Sequence, residues 1–263
     1  MTVGIIAGSG SLPEFLSAEM AGVLVRLKGV ATTANSKNTI IEAEFERLGE
    51  LFAALHDEGV TKLVFAGAMQ RPALDPACLD ATTMQLAPRI MAALAKGDDG
   101  LLREVLAIFT EAGFEIVAAH DLLPDLLVMD GIMCGAELDK LQNDALRGTE
   151  ILAALSPLDV GQGCVVSNGQ CIGIETLQGT DQLLKFVQNT RAQLPKGGVL
   201  VKRAKSGQDL RIDMPTIGPA TIKAVSDAGL TGICLQAGHV MVLDRAQTIQ
   251  LANDAGITIW ASA

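Results

Sequence analysis

The feature that most constrains this chain is the alternation of β-type and helical signals through its first half, with glycine closing two of the β-type runs. Residues 3–7 form a short apolar run that ends at Gly8-Ser9-Gly10, and Ser11 and Pro13 then read as the cap and first turn of a helix. Residues 23–30 read as a second strand. Phe45, Leu48, Leu51, Phe52 and Leu55 recur at helical spacing within 44–58. Residues 62–66 are a third strand closed by Gly67. Leu101, Leu102, Val105, Leu106 and Phe109 mark a helix after Gly97-Asp98-Asp99, and residues 115–119 are a further strand. Such an order closes most readily as a parallel sheet with helices over both faces.

The second half follows a different rule. Residues 138–155 read as one helix. Asn168-Gly169 then sits between two β-type runs, and this pair supplies the two positive φ values of a type I′ hairpin turn. Strand signals at 198–201 and 210–214 precede a helix opened by Pro219. The end reads as strand (232–235), strand (240–243), helix (245–255) and strand (258–260). An antiparallel hairpin among strand–helix units predicts a mixed sheet. The boundary is expected between Asp130 and Glu137, giving domains 1–133 and 134–263, in keeping with 263 residues at about 150 per domain.

Charge narrows the function. Asp and Glu total 30 against 20 Lys and Arg, a net charge of −10, so the basic footprint of a nucleic-acid binder is missing. Aromatics are 3% with one Trp and no Tyr, which disfavours stacking platforms. The opening MTVGIIAGSG lacks a basic segment ahead of its apolar run, and no signal peptide or membrane-spanning helix is expected. Cys78, Cys134, Cys164, Cys171 and Cys234 are scattered without a C-x-x-C pair. They are expected to be buried, reduced thiols in the cytoplasm.

Gly8-Ser9-Gly10-Ser11-Leu12-Pro13 lies where a nucleotide loop lies, after a strand and before a helix, where N–H groups meet phosphate. It is not the full dinucleotide fingerprint, because Pro13 replaces the third glycine. The ribose-binding acid is also missing, since no Asp or Glu occurs between Glu19 and Glu42. NAD is therefore disfavoured, while a plain tight turn serves equally well as a reading. Phe65 to Pro72 also follows a strand, with Arg71 either facing a ligand or solvated. Asp98 and Asp99 are either metal carboxylates or caps of the following helix. His120 closes a strand, whereas His56 and His239 lack acidic or Cys companions and read as structural. In the second half stand Glu175, Gly179-Thr180-Asp181 and Asp213, the last expected at a strand end before Pro215. A carboxylate so placed suits metal binding or base chemistry, or caps the turn. Lys202, Arg203, Lys205 and Arg211 crowd four cations into ten residues, facing either an anionic ligand or the solvent beside an edge strand. No G-x-S-x-G and no Walker A motif is present. The residues alone specify a two-domain α/β protein that binds a phosphorylated small molecule.

Seven segments in register resemble one family. They are IIAGSGSLP (5–13), FAGAMQRP (65–72), KGDDGLLR (96–103), GFEIVAAH (113–120), DVGQGCVV (159–166), ETLQGTD (175–181) and RIDMPTIGPATI (211–222). They resemble the UDP-2,3-diacylglucosamine pyrophosphatases of the LpxI type, along essentially the whole chain. The resemblance implies a Rossmann-like first domain with a parallel sheet and a C-terminal α/β domain with a mixed sheet that carries the catalytic aspartate. It implies Mg²⁺-dependent hydrolysis of an acylated UDP-sugar to lipid X and UMP, in lipid A biosynthesis, by a cytoplasmic homodimer at the inner face of the inner membrane. The family's aspartate, in a V-D-L-P-T-I-G segment, maps onto Asp213, with Ile212 and Met214 as departures; the first loop reads G-S-G for the relatives' G-G-G. Asp213 is accordingly the expected catalytic carboxylate, and Asp213, Asp181 and Glu175 are the candidate Mg²⁺ ligands. Gly10, Ser11, Leu12, Ala68, Met69, His120, Thr180, Asp181, Lys202 and Thr216 are the candidate substrate contacts, with Lys202 neutralising the diphosphate. Two other classes stay open: a nucleotide or lipid sensor without catalysis, and a nicotinamide-dependent oxidoreductase.

Overall fold

The computed structural model describes residues 2–36, 39–69, 74–95, 98–136, 138–191 and 195–263. The chain divides into two compact units, Met1–Leu122 and Leu123–Ala263.

The first unit is built on strands β1 (Thr2–Ala7), β2 (Val23–Leu27), β3 (Ile40–Ala43), β4 (Val60–Ala66) and β5 (Glu115–Ile116). They form one parallel sheet in the order β3-β2-β1-β4-β5. Ile5, Ile6, Leu24, Val25, Leu63 and Val64 are all essentially buried, as expected of strands covered on both faces. Helices α1 (Leu12–Glu19), α2 (Leu48–Asp57), α3 (Ala81–Leu94), α4 (Asp98–Glu111) and the single turn α5 (Ala119–Leu122) provide the cover. Helix α3 is absent from the sequence reading. Its start is fixed by Asp80, whose carboxylate accepts from the Thr83 N–H at 2.7 Å. The strand expected over 115–119 is shorter than predicted: it ends at Ile116, and His120 sits within α5.

In the second unit, β6 (Gly131–Cys134), α6 (Leu138–Leu155), β7 (Gly163–Ser167), β8 (Gln170–Ile174), α7 (Gly179–Thr190) and β9 (Val199–Lys202) are followed by β10 (Thr216–Ile217), α8 (Pro219–Asp227), β11 (Gly232–Gln236), β12 (Met241–Val242), α9 (Arg245–Asp254) and β13 (Thr258–Ser262). Six of these strands form a mixed sheet in the order β6-β13-β11-β9-β7-β8; β10 and β12 pair separately. Strands β9, β11 and β13 are mutually parallel, while β7, β8 and β6 run antiparallel to their neighbours. The hairpin turns at Asn168-Gly169, with φ of 50° and 75°. Strand β6 pairs with β13, so residues 131–134 belong to the second sheet.

The period-2 rule of a strand is visible in β9. Val199 and Val201 pack with Leu141, Ala145 and Leu152 of α6. Leu200, between them, packs with Leu184 and Val187 of α7 and Ile222 of α8. Helix α6 thus covers one face and α7, α8 and α9 the other.

Two expectations are corrected here. Residues 210–214 alternate apolar and polar, yet form a turn and not a strand. The Asp209 carboxylate captures the Arg211 N–H at 3.1 Å, and the Asp209 carbonyl accepts from the Ile212 and Asp213 N–H groups. Pro215 follows and has no N–H to offer a ladder. The cysteines are also not uniformly buried: Cys134, Cys164 and Cys234 are, whereas Cys78 and Cys171 are exposed. Among the described residues no helix is long and apolar enough to cross a membrane.

Candidate functional site

In the first unit the chain leaves β1, adds β2 and β3 on one side, and returns to place β4 on the other. The loops at the C-terminal ends of β1 and β4 flank this switch point, where open α/β sheets bind ligands. The structure laces the first loop, which leads on to Gly10, Ser11 and Leu12, to the second, which carries Ala68 and Met69, through Ser9 and Ala68. The Ser9 N–H donates to the Ala68 carbonyl at 2.8 Å, the Ala68 N–H returns to the Ser9 carbonyl at 3.0 Å, and the Ser9 hydroxyl reaches Ala68 as well. A Cβ on Gly8 would lie 2.6 Å from the Gly67 carbonyl, and one on Gly67, at φ +88°, would lie 2.3 Å from the Ser9 carbonyl. These two glycines serve loop against loop. Gly10 differs: at φ +98° it has open space where a Cβ would be, and Gly10, Ser11, Ala68 and Met69 are exposed. Ser11 precedes α1 but its hydroxyl makes no capping bond. Residues 70–73 and 96–97, and the side chains of Asp98 and Asp99, lie outside the described residues. His120 is half-buried, with Nε2 4.0 Å from the Asp121 carboxylate and a buried Nδ1 that has no partner among the described residues. The residue following β2 is Lys28, paired with Glu44 at 2.7 Å, where a dinucleotide site needs an acid.

In the second unit Glu175, Thr180 and Lys202 meet. The Lys202 ammonium donates to the Thr180 hydroxyl at 2.5 Å, the hydroxyl donates to Glu175 Oε2 at 2.5 Å, and Nζ lies 3.6 Å from the same oxygen. Both charged residues are buried, Lys202 to 5% exposure and Glu175 to 8%. This is a closed ion pair with a hydroxyl bridge. Asp181, one residue on, is exposed in the first turn of α7. Thr216 opens β10 and its hydroxyl donates to the Met214 carbonyl at 3.1 Å. Asp213 stands exposed on its turn and accepts from the Gln208 side-chain amide at 2.5 Å.

The cation cluster resolves unequally. Lys205 pairs with Asp159 at 2.5 Å, Arg211 with Asp209 at 2.6 Å, and Lys202 with Glu175. Arg203 has no carboxylate partner among the described residues. Its Nη1 is buried without a hydrogen bond, and burial pushes the guanidinium pKa below its ordinary value. Strand β9 is central in its sheet, so the cluster does not guard an edge. Two of its members, Arg203 and Lys205, line a cavity of about 460 Å³ at the C-terminal ends of β9 and β11, together with Leu152, Gln208, Gln236 and His239 among others. Gln208 and Gln236 are absent from the sequence reading, and His239, read there as structural, faces this cavity. The local excess of cations was the one signal that pointed to it.

Among the described residues no three His, Cys, Asp or Glu side chains cluster as a metal cage. Glu175 is occupied by Lys202 and Thr180, so Asp213 and Asp181 remain as exposed hard-oxygen donors. Each is a hard oxygen donor of the kind Mg²⁺ takes, one or two carboxylates at a time with phosphate and water completing its shell.

The two halves also match two family models. Residues 2–126 match the LpxI N-terminal domain and residues 129–260 the LpxI C-terminal domain. The chain belongs to the LpxI family. A relative in Caulobacter vibrioides, the UDP-2,3-diacylglucosamine pyrophosphatase LpxI, is 34% identical over 272 residues, covering 98% of this chain and 96% of that protein. Membership of the LpxI family thus extends over both units, including the Arg203 cavity and the Asp213 turn of the second.

Proposed function

We propose that this chain hydrolyses the diphosphate of UDP-2,3-diacylglucosamine, releasing 2,3-diacylglucosamine 1-phosphate (lipid X) and UMP in lipid A biosynthesis. Family membership and the name of the Caulobacter vibrioides relative supply the substrate class. One observation in this chain carries the reading. Arg203, a desolvated cation without a carboxylate partner among the described residues, lines a cavity whose Gln208 also holds the Asp213 carboxylate. An anion site and a candidate base are thereby joined through one side chain.

The Asp213 carboxylate orients a water and takes its proton as the water attacks the α-phosphorus. The bond from that phosphorus to the bridging oxygen breaks, and the sugar 1-phosphate leaves with the electron pair. Charge builds on the leaving β-phosphate and requires a cation there. Lys202, expected from the sequence to cover it, is engaged by Glu175 and Thr180; Arg203 is better suited. Asp213 and Asp181, with phosphate oxygens, would hold Mg²⁺, which supplies Lewis-acid polarisation of the phosphorus–oxygen bonds. An acylated substrate resides in a membrane leaflet, which supports work as a peripheral protein; the cytoplasmic face of the inner membrane and the homodimer are what the family resemblance implies.

The oxidoreductase reading is disfavoured by Lys28 at the position of the ribose acid. Hydrolysis of UDP-2,3-diacylglucosamine, with and without EDTA, is the deciding experiment. Metal-dependent release of UMP is expected. Binding without turnover would favour the sensor, and turnover unaffected by EDTA would remove Mg²⁺ from the proposal.

A further inference from the structure

We infer that Gln208 is a positioning residue, holding the Asp213 carboxylate in one orientation for the reaction; this rests on the reading of Asp213 proposed above. The chain turns through Ser206-Gly207, with Gly207 at φ +78°. That turn returns Gln208 to Lys205: the Gln208 N–H donates to the Lys205 carbonyl at 3.3 Å, and the Lys205 N–H donates to Gln208 Oε1 at 3.0 Å. A backbone N–H only donates, so the oxygen of the Gln208 amide must face it. The amino group of the same amide is then directed at Asp213, where Nε2 donates to Oδ2 at 2.5 Å. The backbone, and not an arbitrary choice of amide rotamer, sets which end meets the carboxylate.

Asp213 needs such a holder. It is exposed, and its main chain is fixed by its own N–H on the Asp209 carbonyl at 3.1 Å, which leaves the side-chain torsions free to turn in water. Gln208 is half-buried and borders the Arg203 cavity, so it ties the carboxylate to the wall of the anion site. A catalytic group released from its productive orientation loses rate far more than affinity.

The substitution Gln208→Glu separates this role from a purely structural one. The new carboxylate still accepts from the Lys205 N–H, so the turn is kept, but the donor to Asp213 is lost. Steady-state kinetics on UDP-2,3-diacylglucosamine should show kcat down at least about tenfold, and KM is read in the neutral variant Gln208→Met, where it should stay within about twofold of the parent. Gln208→Met, which is neutral, should lower kcat to a similar extent and guards against a charge artefact or a folding failure of the first variant. In an Asp213→Asn background, Gln208→Glu should change kcat by less than about threefold, because the carboxylate to be positioned is gone. Parental kcat in both Gln208 variants overturns the inference, as does a full multiplicative loss in the Asp213→Asn background. If Asp213→Asn itself keeps parental kcat, the reading of Asp213 falls first. If Asp213→Asn is inactivated and the Gln208 variants are not, only the positioning role falls.

Discussion

Lys202 and Arg203, adjacent in sequence, leave β9 toward opposite faces of the second sheet. Lys202 turns with Leu200 toward α7 and closes on Thr180 and Glu175. Arg203 borders the cavity that also includes Leu152 of α6, with no carboxylate partner among the described residues. Two equal charges therefore stand differently: one balances a buried acid, and the other lines a cavity with its Nη1 unbonded among the described residues.

Removing Lys202 should unsettle the fold. Lys202→Met leaves the Glu175 carboxylate buried without its cation and is expected to cost about 3 kcal/mol in urea unfolding. The double variant Lys202→Met with Glu175→Leu should regain most of that loss. A single variant as stable as the parent would mean that the pair contributes nothing.

Arg203→Gln should act on binding. Loss of a charged hydrogen-bond donor to phosphate is expected to raise KM for the UDP-sugar about 10- to 100-fold and to lower kcat as well, because the charge on the leaving β-phosphate grows in the transition state. The melting temperature should hold or rise, because the charge removed has no carboxylate partner to strand. An unchanged KM would exclude Arg203 from the substrate site.

Asp213→Asn keeps the shape and removes the charge. A fall in kcat of at least about 10²-fold is expected, with circular dichroism unchanged because the residue is exposed. Retention of more than about a tenth of kcat would assign the base to another group.

Attack at the α-phosphorus is decided by isotope. In ¹⁸O-water the heavy oxygen should appear by mass spectrometry in UMP and not in the sugar phosphate. Label in the sugar phosphate would mean attack at the β-phosphorus, and would leave Arg203 without its role at the leaving group.

The parallel sheet of the first unit was legible because its strands are apolar on both faces and glycine ends two of them. The hairpin was legible because Asn168-Gly169 adopts the positive φ values its type requires. Residues 210–214 misled because alternation alone does not make a strand: the Asp209 side chain holds the backbone in a turn. Helix α3 carries Pro88 inside it and too few apolar positions in register to stand out, although Asp80 marked its start. Strand β6 is four residues long and exists only because β13 lies beside it. Asp213 was singled out both as a carboxylate ahead of Pro215 and through the resemblance, although it was expected at a strand end and stands on a turn. The Gln208–Asp213 hydrogen bond was not legible, because it depends on a turn that folds Gln208 back onto Lys205, and hydrogen bonds of that kind leave no periodic trace.

The lacing of Ser9 to Ala68, with Gly8 and Gly67 pressed against the opposite loop, also bears on affinity at the switch point of the first unit. Two loops that hold each other have already lost their conformational freedom when the chain folds. A ligand that settles beside Gly10 then has little left to order, and more of its contact energy goes into holding it in place.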